Sequence, residues 1–120
     1  MSLKVIIDSG HGGTDGGASG NGIIEKNMTL DISKEMYNEF KKLGIPVYMT
    51  RDTDETLSPT ERVNRVKRFI SSGDDVVVIS NHINAGGGEG AEVIYALRNN
   101  EKLSQNILNE LAGSGQKIRK

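Results

Sequence analysis

Apolar residues in the first half of the chain form short continuous runs that alternate with stretches of helical spacing. Segment 4–8 (KVIID) is apolar and stops at a series of glycines, which is typical of a buried strand. A helical apolar spacing follows over 28–43, and Gly44 and Pro46 favour its end before a second strand at 47–50 (VYMT). The apolar positions of this predicted helix are Met28, Ile32, Met36, Phe40 and Leu43.

The second half of the chain continues the alternation. Residues 58–61 (SPTE) have the form of a capping box with proline at the first helical position, and predict a helix that stops near Gly73. The most apolar run, 75–80 (DVVVIS), is interpreted as a central strand, and 91–97 (AEVIYAL) as a further strand. A last helix is predicted to end at Gly113. The apolar positions of the two helices are Val63, Val66 and Ile70, then Leu103, Ile107 and Leu111.

Strands separated by helices predict the fold class. It is α/β, with a mostly parallel twisted sheet and helices on both faces. A chain of 120 residues is long enough to bury a core within one domain. Because neither an internal repeat nor a linker is visible, we expect a single domain over residues 1–120.

Composition narrows the range of functions. A net charge of −1 gives no indication of nucleic acid or of an anionic membrane as a partner. The sequence has no apolar run that could span a bilayer, and the run 3–7 is too short for a secretory signal. Cysteine is absent, which excludes disulfides and thiolate metal sites. The basic segment 61–69 (ERVNRVKRF) is flanked by acidic residues, so we interpret it as a solvated helix face.

Each of the two histidines follows a predicted strand. His11 lies three residues beyond segment 4–8, within a glycine-rich stretch, and His82 lies two residues beyond segment 75–80. The carboxyl ends of parallel strands meet at one edge of a sheet, and open α/β sheets bind ligands at that edge. A single histidine after a strand is usually a surface residue, but two that converge on one edge favour a metal site.

Glu25 precedes the first long helix and can supply a third ligand. Two imidazoles and one carboxylate form the ligand set of a catalytic zinc, with a fourth position left for water. The glycines would then allow a tight backbone bend and close approach of a substrate. Two plainer interpretations remain open. Glu25 would also suit a first-turn charge that favours the helix dipole, and the glycines would suit any tight loop.

Four segments resemble the zinc-dependent N-acetylmuramoyl-L-alanine amidases of bacterial cell walls and phage lysins. They are 7–33 (IDSGHGGTDGGASGNGIIEKNMTLDIS), 47–51 (VYMTR), 78–85 (VISNHINA) and 90–95 (GAEVIY). The resemblance spans the whole chain and implies that His11, Glu25 and His82 ligate Zn²⁺. It also implies the substrate, which is the amide joining the lactyl group of N-acetylmuramic acid to the L-alanine of the peptidoglycan stem peptide.

The resemblance further implies a later glutamate that acts as general base, on a strand beyond residue 120. We therefore expect residues 1–120 to be an amidase catalytic domain without its C-terminal portion, with no assigned catalytic carboxylate. Glu92 and Asp15 are candidates to replace it, although structural roles are plainer for both. Asn84 is a candidate substrate contact. The alternative is a catalytically impaired fragment that binds metal or cell wall.

Partners and location follow from the same resemblance. We expect peptidoglycan as partner, no nucleic acid, no membrane span, and a monomer or a dimer formed through the open sheet edge. Action on the bacterial cell wall is implied, after a cytoplasmic stage if the protein is a phage lysin. A competing interpretation is a phosphate or nucleotide binder. The sequence contains no GxxxxGK[ST], and segment 86–91 (GGGEGA) precedes a predicted strand, not a helix.

Overall fold

The computed structural model describes residues 3–84, 90–94 and 101–119. They belong to two compact units, Met1–Ala85 and Gly86–Lys120. No helix within the described ranges combines the length and apolar character needed to cross a membrane. The strands are β1 (Leu3–Ser9), β2 (Ser19–Gly20), β3 (Ile23–Ile24), β4 (Val47–Met49) and β5 (Asp75–Asn81), and the helices are α1 (Glu25–Lys42), α2 (Pro59–Arg68) and α3 (Lys102–Gly113).

The main sheet of the first unit is parallel, with the strand order β4–β1–β5. Asp8 of β1 is aligned with Ser80 of β5, so the carboxyl ends of these two strands lie at the same edge. The predicted α/β class and the shared edge are confirmed. Such an arrangement requires crossover connections, which α1 and α2 provide.

The interpretation of segment 75–80 as a central strand stays a prediction, because residues 85–89 and 95–100 lie outside the described ranges. Among the described strands, β1 lies between β4 and β5, and β5 is paired with β1. Val78 of β5 is 48% exposed, whereas Ile6 and Ile7 of β1 are fully buried.

Helix α1 packs on one face of the sheet, and α2 contacts the other through Arg62 and its C-cap residue Phe69. Val5, Ile7 and Val47 form the core on one face, against Met36, Tyr37 and Phe40 of α1. Tyr48 alternates with Val47 along β4 and therefore lies on the opposite face. Its ring stacks on Phe69, at the end of α2, with centroids 4.7 Å apart.

Helix α1 begins three residues before its predicted start at residue 28. Its first turn is polar, so apolar periodicity cannot mark it. Ile24 at the N-cap makes no side-chain hydrogen bond. Instead, the backbone N–H of Glu25 donates to the carbonyl of Ala18 at 2.8 Å. This hydrogen bond to the preceding loop therefore determines where α1 begins. At the other end, Gly44 adopts φ +75°, as a helix-ending glycine does.

The capping box of α2 is confirmed. The Ser58 hydroxyl accepts from the Glu61 N–H at 3.1 Å, and the Ser58 N–H donates to the Glu61 carboxylate at 3.2 Å. The helix ends at Arg68, earlier than the predicted stop near Gly73. Lys4 donates to the Phe69 carbonyl at 2.8 Å, so a distant side chain satisfies the helix terminus.

The interpretation of segment 61–69 as a solvated face is wrong for Arg62 and Arg65. No residue of α2 is fully buried, and Val63 is 51% exposed. Helix α2 contacts the rest of its unit through the side chains of Arg62 and Arg65. Arg65 donates to the Thr50 carbonyl at 2.8 Å and to the Glu55 carboxylate, and Arg62 donates to Asp8 at 2.6 Å. Polar contacts thus replace the apolar face expected from the periodicity.

The second unit contains α3, which ends at Gly113 as predicted. Ala91 forms an isolated parallel bridge with Ile118. No strand is formed over 91–94, so this part of the strand prediction for 91–97 is wrong. Residues 95–97, and residues 86–89 of the glycine-rich segment, lie outside the described ranges.

Candidate metal centre

His11 lies two residues past β1, in left-handed backbone with φ +63°. Its Nδ1 is 2.9 Å from Oδ2 of Asp15, and backbone hydrogen bonds of 2.7 and 3.0 Å join Asp15 to Gly12. The hydrogen bond with His11 is the main reason that the pKa of Asp15 is below its usual value. A carboxylate at one ring nitrogen selects the tautomer in which the other nitrogen is an acceptor. Nε2 of His11 is therefore available as a ligand.

Glu25 is the first residue of α1 and is only 4% exposed. Its Oε1 accepts from the Ala18 N–H at 3.0 Å, and its Oε2 accepts from the Ile83 N–H at 2.8 Å. Burial raises the pKa of this carboxyl, but the two backbone donors and the neighbouring imidazoles outweigh that effect and lower it. The side chain is thus a fixed, ionised acceptor, and it also lies in the first turn of α1, where a negative charge favours the helix dipole.

His82 directly follows β5 and forms a cluster with His11 and Glu25. Oε2 of Glu25 lies 3.4 Å from Nδ1 of His82 and 3.2 Å from Nε2 of His11. The imidazole rings are nearly perpendicular, with centroids 5.4 Å apart. One ligand atom from each residue lies within 4.8 Å of the other two. In tetrahedral zinc sites with bonds of about 2.0–2.2 Å, ligand atoms are about 3.3–3.5 Å apart. The distances from Oε2 of Glu25 to the two imidazole nitrogens, 3.2 and 3.4 Å, are close to that spacing.

Two glycines allow the three side chains to approach one another. A Cβ on Gly17 would lie 2.6 Å from Cδ2 of His11 and 2.8 Å from Oε1 of Glu25, and its φ is +70°. A Cβ on Gly10 would lie 2.6 Å from Nδ1 of His82. At these two positions any side chain would clash with the cluster. Glycine is therefore needed here for a reason other than the formation of a tight loop.

Gly17→Ala is expected to weaken metal binding at least tenfold, because the added methyl group displaces His11 or Glu25 and the backbone is strained at positive φ. The measurement is zinc affinity in competition with a chromophoric chelator. Gly20→Ala is the matched control, since Gly20 of β2 has open space around the added atom. Equal affinities for the two variants would contradict the close approach.

The charged loop 51–56 supports the glycine-rich segment. Asp54 accepts from the Gly13 N–H at 2.7 Å, and the Thr56 hydroxyl accepts from the Thr14 N–H at 2.9 Å. Lys26 donates to both Asp54 and the Gly13 carbonyl at 2.8 Å. The hydrogen bond with Lys26 is the main reason that the pKa of Asp54 is lowered. Apolar periodicity carries no signal for these contacts.

A two-stranded hairpin, β2–β3, lies between His11 and Glu25 and was not predicted from the sequence. Its turn residues Asn21 and Gly22 have φ of +52° and +77°. The Asn-Gly pair is a strong hairpin signal and could have revealed this element. The hairpin brings Ala18 to the carboxylate of Glu25.

Asp8, the next-to-last residue of β1, was not singled out from the sequence. It is buried, and it accepts hydrogen bonds from Thr50 at 2.7 Å, Ser80 at 2.6 Å and Arg62 at 2.6 Å. Burial raises its pKa, but the three donors outweigh that effect, so the pKa is lowered. The carboxylate of this β1 residue thus contacts β5 through Ser80, the residue that follows β4 through Thr50, and α2 through Arg62.

The remaining candidates are placed differently. Asn84 is exposed, two residues past His82, and Asp15 is engaged with His11. Glu92 is an exposed residue of the second unit. The structure therefore brings together His11, Glu25 and His82 and gives Asp15 an orienting contact with one of them.

Fold and site together define an α/β protein with a His–Glu–His cluster that could hold a metal ion. The chain belongs to the N-acetylmuramoyl-L-alanine amidase family, which it matches over residues 5–120. It is 42% identical to the N-acetylmuramoyl-L-alanine amidase CwlM of Bacillus licheniformis over 94 residues, covering 75% of this chain and 35% of that protein. It is 39% identical to the endolysin of Bacillus phage SPP1 over 94 residues, covering 77% of this chain and 33% of that protein.

A solved structure shares the fold. The catalytic domain of CwlV, an N-acetylmuramoyl-L-alanine amidase from Bacillus (Paenibacillus) polymyxa var. colistinus, superposes with a TM-score of 0.80 and 27% identity. The match covers 98% of this chain and 67% of that domain. The chain spans about a third of the length of the two relatives named above, at 35% and 33%.

Proposed function

We propose that this protein hydrolyses the amide between N-acetylmuramic acid and L-alanine in bacterial peptidoglycan, using a zinc ion held by His11, Glu25 and His82. The observation that carries the proposal is the spacing of the cluster, with one carboxylate oxygen 3.2 and 3.4 Å from two imidazole nitrogens. Family membership supports the same reaction and a site of action at the bacterial cell wall.

The proposed zinc site has a buried side and a side that is open to solvent. Bound zinc would supply a Lewis acid that lowers the pKa of a coordinated water from about 15.7 toward about 7 and polarises a carbonyl oxygen. Glu25, fixed by two backbone N–H donors, supplies the buried side of the site. The side chain of His82 is 48% exposed, so the cluster opens to solvent on that side. We place the substrate on the open side, where Asn84 follows on the same exposed segment.

Amide hydrolysis also requires a proton on the leaving nitrogen. Asp15 is an exposed carboxyl beside the cluster, but its Oδ2 is engaged with Nδ1 of His11 and its pKa is lowered. It is therefore suited to orienting His11 and poorly suited to donating a proton. We assign no proton donor among the described residues.

Purified chain loaded with zinc is expected to release peptides with a new amino-terminal L-alanine from muropeptides, slowly because no proton donor is assigned, and a chelator should abolish the release. His11→Ala should lower the rate at least 100-fold, because it removes a metal ligand. Gly20→Ala is the control, since its added methyl group contacts nothing.

Two other outcomes of the muropeptide experiment would be informative. Zinc binding without any peptide release would favour the second candidate, a module that binds metal or cell wall without catalysis. Peptide release that persists after complete metal removal would contradict the proposed zinc dependence.

A further inference from the structure

Arg62 reaches from α2 to the segment that carries His11. Its Nη2 donates to the His11 carbonyl at 3.0 Å, and its Nη1 donates to the Ser9 carbonyl at 2.7 Å and to Asp8 at 2.6 Å. The side chain is 19% exposed. A helix that begins 48 residues after His11 in the chain thus contacts the backbone of a metal-ligand candidate directly.

Arg51 approaches the same segment from the end of β4 and is fully buried. Its Nη2 donates to the carbonyls of Gly10 and Lys26, both at 3.0 Å. Gly10 immediately precedes His11, and Lys26 immediately follows Glu25. The planar guanidinium presents its donors in a fixed geometry, so one side chain sets the separation between the backbone segments that carry two ligands.

The conformation of His11 shows why such support is needed. A φ of +63° is sparsely populated by residues other than glycine. Conformations of this kind persist when the surroundings maintain them, and they are common at functional sites. The hydrogen bond from Arg62 to the His11 carbonyl fixes the peptide unit on the carboxyl side of His11, while Arg51 fixes the preceding one.

We propose that Arg62 and Arg51 are positioning residues that set the metal ligands at binding distance before the ion arrives. The inference rests on the proposed metal-binding function and assigns to these residues a role in metal affinity beyond fold stability. A site that is arranged in advance loses less conformational freedom on binding and therefore binds more tightly. Partners that orient metal ligands typically change affinity by about 10–100-fold when they are replaced.

Arg62→Lys is the sharpest test. An ammonium group can keep a charge contact with Asp8, but it cannot reproduce the two-nitrogen contact that also reaches the His11 carbonyl. We expect zinc affinity, measured by chelator competition at pH 7, to fall about 10–100-fold. The visible absorption spectrum of the Co²⁺-loaded chain should also change, since it reports ligand geometry. Arg51→Lys should have the same two effects.

Lys4→Gln is the matched control. Lys4 also donates to a backbone carbonyl and a carboxylate, those of Phe69 and Asp74, but at the opposite end of β1 from His11. This variant should lower the melting temperature of the metal-free protein and leave zinc affinity and the Co²⁺ spectrum unchanged. If the arginines had a purely structural role, all three variants would show a lower melting temperature of the metal-free protein with unchanged zinc affinity and an unchanged Co²⁺ spectrum.

The outcomes separate the inference from the function on which it rests. If the unmodified chain binds no zinc, the proposed function fails. If it binds zinc but both arginine variants bind within about twofold of it with the same Co²⁺ spectrum, only the positioning role fails. An Arg62→Lys protein that does not fold also counts against the inference, because it assigns this arginine to folding.

Discussion

Replacing His82 with alanine is expected to reduce bound zinc from one ion per chain to almost none. Nδ1 of His82 is 3.4 Å from Oε2 of Glu25, at a spacing that fits two ligands of one tetrahedral ion. Loss of a ligand should weaken binding by more than the 10–100-fold typical of an orienting partner, so we expect a loss of more than about 100-fold. The measurement is elemental analysis of protein purified by gel filtration.

Asn84→Ala is the matched control for this experiment, because Asn84 lies two residues further along the same exposed segment. We expect the control to retain zinc while losing activity on muropeptides, which would separate metal binding from substrate contact. Full zinc occupancy in both His11→Ala and His82→Ala proteins would place the metal elsewhere and end the assignment.

Asp8→Asn is expected to lower the free energy of unfolding by about 2–4 kcal/mol at pH 7. The substitution removes the charge that accepts hydrogen bonds from Thr50, Ser80 and Arg62, and leaves the half-buried guanidinium without its anionic partner. Urea denaturation measures the effect. Asp31→Asn, at an exposed position of α1, is the control and should change stability by less than about 0.5 kcal/mol.

The pH dependence tests the cause of this stability difference. Because the folded protein lowers the pKa of Asp8, its contribution is fully present above the unfolded pKa of about 3.9 and is lost as the pH falls through the lower folded value. The difference between the unmodified chain and Asp8→Asn should therefore stay constant between about pH 5 and 7 and close in more acidic solution. A difference that persists unchanged in acid would mean that shape, not charge, makes Asp8 important.

Local pattern determined much of the framework. The apolar run 4–8 predicted β1, the SPTE segment predicted the capping box of α2, and both were confirmed. The general rule that parallel strand ends share one edge then placed His11 and His82 together, which the alignment of Asp8 with Ser80 confirms. These inferences succeeded because each depends on nearest neighbours in sequence or on a rule of chain topology.

Tertiary structure alone decided which polar groups support the site. Asp8 and Ser80 are 72 residues apart in the chain, Arg62 and the His11 carbonyl 51, and Arg51 and the Gly10 carbonyl 41. Sequence spacing carries no information on such pairs, because a hydrogen bond is set by distance and direction in space. For the same reason, the sequence did not reveal that α2 contacts the rest of its unit through Arg62 and Arg65. An apolar pattern shows which side chains avoid water, whereas the partners of buried charges are determined only when the folded chain brings them together.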